Sequence, residues 1–318
     1  YDDLNEKNRP REFPISNDRL SFASAQDFKK IPGAPIAYWV KDTFYKIFQK
    51  AELIGDLFPV KKGADTGDNA YFLRLWHELS LQKTNIIRDN GKWIQYDKGG
   101  NFRKWYGNNE YLINWENDGF ELKKSSANLR SQNLYFKKSI TWNAVTSSKT
   151  SFRYSNDKTI FDSAGSSMFP ESSLFLYVLG YTNSAVSNHI LNFINPTLNY
   201  GAGSVAQLPL IFDNGIVKSV DRAIDRLIFN SRSDWDSFET SWDFSVLPLL
   251  EIDNYPIAST VYKKFDQLRK EWQALTSETQ HLEEENNRIF IKAYGLQDEL
   301  TPEVPLEEIT LTCNPHYR

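Results

Sequence analysis

The spacing of apolar residues divides the chain into stretches of different character. Residues 1–35 carry no clear period, and Pro10, Pro14, Pro32, Gly33 and Pro35 break them up. Ala37, Val40, Phe44, Phe48 and Leu53 then recur at helical intervals, and Gly55 closes the run. Between 90 and 165 the period drops to two. Trp93-Ile94-Gln95-Tyr96, Tyr111–Trp115, Ser139–Trp142 and Lys158–Phe161 read as short strands. The turn-formers Asp89-Asn90-Gly91, Lys98-Gly99-Gly100 and Asn117-Asp118-Gly119 separate them. Residues 173–195 return to a helical pattern through Leu174, Leu176, Val178, Leu179, Val186, Ile190, Leu191, Phe193 and Ile194.

The longest periodic run follows Pro256. Val261, Phe265, Leu268, Trp272, Leu275, Leu282, Ile289 and Ala293 recur by fours and threes, with Thr279 and Asn286 filling polar turns of the same stripe. No Gly or Pro intervenes before Gly295, which predicts a helix near 258–294 with a glycine C-cap. Its length favours a protruding spacer over a helix embedded in a compact domain. Leu300-Thr301-Pro302-Glu303-Val304-Pro305 predicts an extended tail docked elsewhere. The expected class is therefore α+β: a mixed, β-rich domain flanked by helices, a long helical spacer and an extended C-terminal tail. The expected boundaries are 1–60, 61–250 and 251–318.

Charge sharpens this division. The 318 residues carry a net charge of −4. Residues 61–160 hold 17 basic and 10 acidic side chains, while 231–318 hold 8 and 17. The basic stretch also contains 16 of the 46 aromatics, among them Trp76, Trp93, Trp105, Trp115 and Trp142. Basic charge interleaved with rings suits a nucleic-acid surface, because phosphates attract Lys and Arg while unstacked bases attract rings. A twisted sheet with one buried aromatic face and one solvated basic face has the same composition.

Several chemistries drop out. One Cys excludes an internal disulfide framework and fits a reducing, cytoplasmic setting. No apolar run approaches the length of a membrane span. His77, His189, His281 and His316 stand far apart with no ligand spacing, so no metal site is expected. Asp65 and Asp68 flank Gly67 in a turn that needs no cation. Neither a dinucleotide fingerprint, a phosphate-binding Walker loop nor a serine elbow is present. Cys313-Asn314-Pro315-His316-Tyr317 imitates the Asn-Pro-Pro-aromatic motif of amino-group methyltransferases. It has His in place of the second Pro and lacks the apolar strand that would hold the motif rigid. No catalytic residue is assigned.

Specific motifs appear at Gly63-Ala64-Asp65-Thr66-Gly67-Asp68-Asn69-Ala70-Tyr71-Phe72-Leu73-Arg74 and at Tyr96–Asn109. Ile140-Thr141-Trp142, Ile160–Ser167, Ser241-Trp242-Asp243-Phe244 and Asn287–Ile291 join them. Together these resemble the PglX-type adenine-specific DNA methyltransferases of BREX phage-defence systems, over essentially the whole chain. The resemblance implies a parent enzyme that uses S-adenosyl-L-methionine to methylate adenine N6. The cofactor and Asn-Pro-Pro-Tyr motifs of that family lie upstream of the matching part. The chain, which begins at Tyr1 without an initiator Met, is thus expected to be the target-recognition portion cut from its catalytic domain, inactive alone and holding no cofactor itself.

On that reading the partner is double-stranded DNA. Other BREX subunits and acidic DNA-mimic inhibitors are further possible partners, and no membrane is expected. The alternative function is a protein-interaction scaffold within the defence complex. Lys61, Lys62, Arg74, Lys98, Arg103, Lys104, Lys137, Lys138 and Arg153 are the candidates for phosphate or guanine. Asn108 and Asn109 are candidates for adenine, with Thr66, Asn69, Trp105 and Tyr106 completing the expected DNA-binding set. The loop Lys98–Asn109 is expected to be a principal contact.

Overall fold

A computed structural model of the chain describes residues 42–146, 149–195, 197–251 and 261–317. It divides into two compact units, residues 1–50 and 51–318. In the first, the described residues form a helix, Asp42–Lys50, that buries Phe44, Tyr45 and Ile47. The expected lead-in at 1–35 lies outside the described residues. The helix ends at Lys50, short of Gly55, because Glu52–Leu53 is already extended.

The second unit is α+β, as the patterning implies. Its strands are β1 (Glu52–Leu53), β2 (Val60–Lys61), β3 (Ala64–Asp65), β4 (Leu73–Leu75), β5 (Trp93–Asp97), β6 (Tyr111–Asn114), β7 (Asn128–Leu129), β8 (Ser139–Trp142), β9 (Phe152–Ser155), β10 (Thr159–Phe161), β11 (Ser167–Met168) and β12 (Pro209–Leu210). One four-stranded sheet has the order β10-β5-β6-β4, antiparallel except for the parallel β10–β5 pair. A second, β2-β11-β8-β9, is antiparallel throughout. β1 pairs with β12, and β3 with β7.

The first sheet is covered on both faces, so all five residues of β5 are buried. Successive side chains alternate faces. Ile94 and Tyr96 enter one core with Ile113, Phe72, Leu73, Ile160 and Phe161. Trp93, facing the other way, packs with Leu112 and Trp242. Asn117, Asp118 and Gly119 do not close a hairpin. All three take left-handed conformations inside the segment Glu116–Lys124.

The 173–195 pattern resolves into helices Phe175–Thr182 and Ala185–Ile194. The break falls where Ser184 accepts a capping hydrogen bond from the Ser187 N–H. Helix Val217–Asp236 packs on the first of these, and a single 34-residue helix, Val261–Tyr294, packs on all three. Gly295 closes the long helix in the left-handed region (φ 69°). Its N–H donates to the Lys292 carbonyl and the Leu296 N–H to that of Ile291, the pair of bonds that satisfies a helix end.

This helix is continuous, as its stripe predicts, but it is not a protruding spacer. Val261, Tyr262 and Phe265 at its start are exposed, while Thr276, Thr279, Glu283, Asn286, Asn287, Phe290, Ile291 and Tyr294 are buried. The buried face is displaced about one position from the apolar stripe because polar residues have partners there. The Asn286 amide donates to the Gly180 carbonyl (2.9 Å). The Asn287 carbonyl oxygen accepts the Ala185 N–H (2.8 Å). The tail turns back, and Val304, Ile309, Leu311 and Cys313 cluster against Trp272 and Leu275. The helix and tail therefore belong to the same compact unit as the sheets, not to a separate 251–318 domain.

Among the described residues no helix is long and apolar enough to cross a membrane, and no group of three His, Cys, Asp or Glu side chains converges on a metal position.

Candidate nucleic-acid interface

The loop Lys98–Asn109 joins β5 to β6 and takes unusual backbone conformations. Gly99, Gly100 and Gly107 have positive φ, and so do Trp105 (70°) and Asn108 (61°). Gly107 shows why. A Cβ there would meet the Arg103 side chain at 2.4 Å and Trp235 at 3.0 Å. The glycine makes room for an internal arginine, not for a nucleic-acid backbone.

Arg103 points inward. Its guanidinium donates to the Tyr106 carbonyl (2.9 Å), to Thr312 Oγ1 (3.0 Å) and to Asp234 Oδ2 (2.8 Å), and it lies 4.7 Å from the centre of the Trp235 ring. Lys104 forms a buried ion pair with Glu283, whose other oxygen accepts the Trp105 indole N–H (2.7 Å). The Lys104 backbone N–H donates to Thr310 Oγ1 (2.9 Å). Burial pushes the Glu283 carboxyl upward, against the opposing pull of Lys104. Trp105 bridges to β9, donating to the Phe152 carbonyl and accepting from the Tyr154 N–H. Arg153, on β9, is also buried and donates to the Asn143 carboxamide oxygen (2.8 Å) and the Arg103 carbonyl (3.3 Å). Burial lowers its guanidinium to about 10, with the nearby Asp97 opposing the shift.

The structure thus brings Arg103, Lys104, Trp105, Tyr106, Asn108, Asn109 and Arg153 together, but as a buried junction. The expectation that this loop contacts DNA does not match its placement. Asn108 donates to the Asn101 carbonyl (3.0 Å), and an Asn109 hydrogen bond reaches Tyr106. A phosphate could be reached only by breaking these pairs, and breaking a buried ion pair costs roughly 3–5 kcal/mol.

The remaining candidates fall elsewhere. Thr66 is buried, and its hydroxyl donates to Asn69 Oδ1 (2.6 Å). The neighbouring Asp68 caps the turn by accepting the Tyr71 N–H (3.0 Å), which leaves the Tyr71 ring exposed. The Gly-x-x-Thr-Gly-Asp-Asn stretch is therefore a capped turn that displays an aromatic. The guanidinium of half-buried Arg74 donates to the Ala70 and Leu73 carbonyls, both at 2.6 Å. Lys98, also half-buried, lies 4.6 Å over the Tyr111 ring. Lys138 lies over Phe175 (4.0 Å) and Tyr154 (5.4 Å), and partial burial there lowers its ammonium. Lys61, Lys62 and Lys137 are exposed and carry no ion pair among the described residues.

Arg130 joins this exposed group and was missed in the sequence. It follows β7, which pairs with β3 two residues after Lys62, and the adjacent Ser131 hydroxyl donates to the Lys62 carbonyl (3.1 Å). Only that pairing, across more than 60 residues of chain, brings it beside Lys61 and Lys62. Asp234, Glu283, Thr310 and Thr312 were missed for the same reason: each meets the loop from more than 120 residues away.

The Asn-Pro-Pro imitation is structural. The Asn314 amide donates to the Leu306 and Ile309 carbonyls (2.6 and 2.8 Å), which pins the tail.

Comparison with known proteins agrees with the motifs. The chain is 36% identical over 317 residues to the adenine-specific methyltransferase PglX of Lacticaseibacillus casei (strain Zhang), a match spanning 93% of this chain and 26% of that protein. It is 38% identical over 298 residues to the adenine-specific methyltransferase BrxX of Escherichia coli O9:H4 (strain HS), across 92% of this chain and 24% of that one. The chain is similar to one segment of the PglX and BrxX methyltransferases. It spans about a quarter of the length of these relatives. No family model matches it.

Proposed function

We propose that this segment is the DNA target-recognition portion of an adenine-specific methyltransferase in a phage-defence system. It would hold duplex DNA while a catalytic domain elsewhere in the longer protein methylates the adenine, using S-adenosyl-L-methionine. The observation that carries this reading is the similarity to PglX and BrxX along nine-tenths of the chain. An enzyme acting on one base must extrude it, at a cost of a few kcal/mol, and phosphate contacts elsewhere keep the duplex in register meanwhile.

Lys61, Lys62, Arg130 and Lys137 are the residues assigned to phosphate, because they are exposed and lack ion-pair partners among the described residues. Arg103, Lys104 and Arg153 act behind that surface, fixing the β5–β6 loop to the helical layer. The test is the salt dependence of duplex binding by the 318-residue chain. Each of Lys61→Ala, Lys62→Ala and Arg130→Ala should weaken binding to all sequences alike and reduce the slope of log affinity against log salt by about one. If the triple variant keeps the parental affinity and slope, the assignment is wrong. The same chain, incubated with labelled S-adenosyl-L-methionine and DNA, should transfer no label. Incorporation would overturn the division of labour.

A further inference from the structure

A cavity of about 640 Å³, lined by no residue of the 98–109 loop, opens beside the left-handed turn Asn117–Gly119. Trp115 and Phe136 both line it, and Phe136 is 41% exposed. The two rings meet edge to face at 6.4 Å. Lys123 already lies 5.7 Å over the Trp115 ring, so Phe136 offers the open face.

Three residues lining this cavity are non-glycine residues in the left-handed region: Asn117 (φ 51°), Asp118 (56°) and Phe136 (59°). Asn tolerates that conformation through local hydrogen bonding, whereas a bulky aromatic does not, and such strain costs about 1–3 kcal/mol per residue. Trp105, Asn108 and Ser131 share this conformation elsewhere in the fold, so the left-handed residues shape the concavity and do not by themselves imply a ligand.

Charge decides which ligand. Both lining cations are already paired, Lys92 with Glu116 (2.7 Å) and Lys158 with Asp89 (3.3 Å). Asp118 pairs with Lys123 just outside. Asp157 also lines the cavity and has no ion-pair partner among the described residues. The lining is therefore net negative, which repels a phosphate-bearing ligand. A flat cation fits better: Phe136 supplies a ring to stack on, and Asp157, Asn90 and Asn117 supply acceptor oxygens in the same lining. A guanidinium is planar, weakly hydrated and carries five donors, whereas an ammonium is compact and strongly hydrated and cannot stack.

We infer that this cavity receives an arginine side chain of a partner protein, making it a docking site separate from any DNA-contacting surface. Buried arginines against aromatic rings are frequent anchors of protein interfaces.

The 318-residue chain is titrated with N-acetyl-arginine amide by ligand-observed NMR, with the lysine and citrulline analogues, adenosine and cytidine as comparisons. The arginine probe should bind in the millimolar range, and the lysine and citrulline analogues several-fold more weakly. Phe136→Ala should weaken the arginine probe about fivefold, the equivalent of one exposed cation–π contact. Asp157→Asn should weaken it by a similar factor, and more so at low salt. Both positions are exposed, and a thermal melt matching the parent confirms that each variant is folded. Citrulline binding as well as arginine, nucleosides binding in place of arginine, or both variants retaining parental affinity would each overturn the inference. The assay contains no DNA, so its outcome is independent of the duplex-binding test.

Discussion

Asp234→Ala is the sharpest probe of the junction between the sheets, the helices and the tail. The Asp234 carboxylate is fully buried. It accepts from Arg103 (2.8 Å), from the Thr312 N–H (2.7 Å) and from the Cys313 N–H (2.9 Å). Removing it leaves a buried guanidinium with weaker neighbours, including the Ser231 carbonyl at 3.4 Å. It also orphans two backbone donors of the tail. Breaking a buried ion pair from one side costs roughly 3–5 kcal/mol. Each unsatisfied N–H adds about 1–3 kcal/mol. These costs overlap, because the tail can peel away and hydrate its own amides, so the lower end, about 5 kcal/mol, is the expected total. That is comparable with the whole stability of many domains. The assays are urea denaturation, followed by tryptophan fluorescence, and limited proteolysis of residues 300–317. Asp234→Ala should lower the urea midpoint sharply and make the tail protease-sensitive under native conditions. Asp234→Asn, which keeps one acceptor but not the charge, should fall between it and the parent. The double variant Arg103→Met, Asp234→Leu should recover more than half of the loss, since an apolar pair removes the uncompensated charge. A loss below about 1.5 kcal/mol for Asp234→Ala would refute the reasoning, for it would place the pair in the range of a solvated salt bridge.

Three further outcomes follow from particular contacts. Gly119→Ala puts a Cβ within 2.8–3.1 Å of the Trp115 ring at φ +72°, so differential scanning calorimetry should show a lowered melting temperature, by at least a few degrees. Ser184→Ala removes the cap of helix Ala185–Ile194 and a hydroxyl donation to the Tyr181 carbonyl (2.7 Å), and urea denaturation should register a loss of about 1–2 kcal/mol. Burial raises the Asp97 carboxyl, with the Ser155 hydrogen bond and Arg153 opposing, so the folded chain binds this proton at higher pH than the unfolded chain does. Its stabilising contribution is complete below the unfolded value, about 3.9, and is lost as pH rises through the raised folded value. The parent should therefore gain stability relative to Asp97→Asn as pH falls from 7 toward 4. Urea midpoints of the two proteins across that range check the sign, and a relative loss by the parent would contradict it.

The elements were legible wherever a local period produced them. The strands at Trp93–Asp97 and Tyr111–Asn114, the helical character of 173–195 and the glycine end of the long helix all follow from patterns a few residues wide, whereas the break at Ser184 inside 173–195 was not read. The position of the long helix was not legible, because much of its buried face is polar. Leu282 and Ile289 advertise a seam, yet Glu283, Asn286 and Asn287 are buried beside Phe290, Ile291 and Tyr294, and the polar residues' partners come from the β5–β6 loop, residues 180–185 and the tail. A buried polar residue resembles a surface one until its partner is known. The same blindness affected the candidate site. Lys98–Asn109 has the composition of a nucleic-acid loop, with cations, rings, glycines and amides side by side, and the fold uses each for an internal contact.

That reversal also explains the uneven charge of the sequence. The basic excess in 61–160 and the acidic excess in 231–318 look like two surfaces for two partners. In the fold they partly answer one another: Arg103 meets Asp234, Lys104 meets Glu283, and Lys149 meets Glu308. Two of these pairs are buried, where they neutralise charge that a linear count assigns to the exterior. On the proposed reading, the field available to a duplex is therefore weaker than the sequence implies and rests on the cations left outside the pairs, with Lys61, Lys62 and Arg130 gathered where β3 and β7 join. Net charge along a chain measures internal docking as well as external attraction. The two contributions separate in the salt response, because exposed charges are screened within about 10 Å at 0.1 M salt while buried pairs are not. Replacing Lys104 and Glu283 together by Met and Leu should accordingly leave the salt slope of duplex binding at its parental value, whereas the Lys61, Lys62 and Arg130 substitutions should lower it. A slope that fell equally in both sets would return the loop to the binding surface.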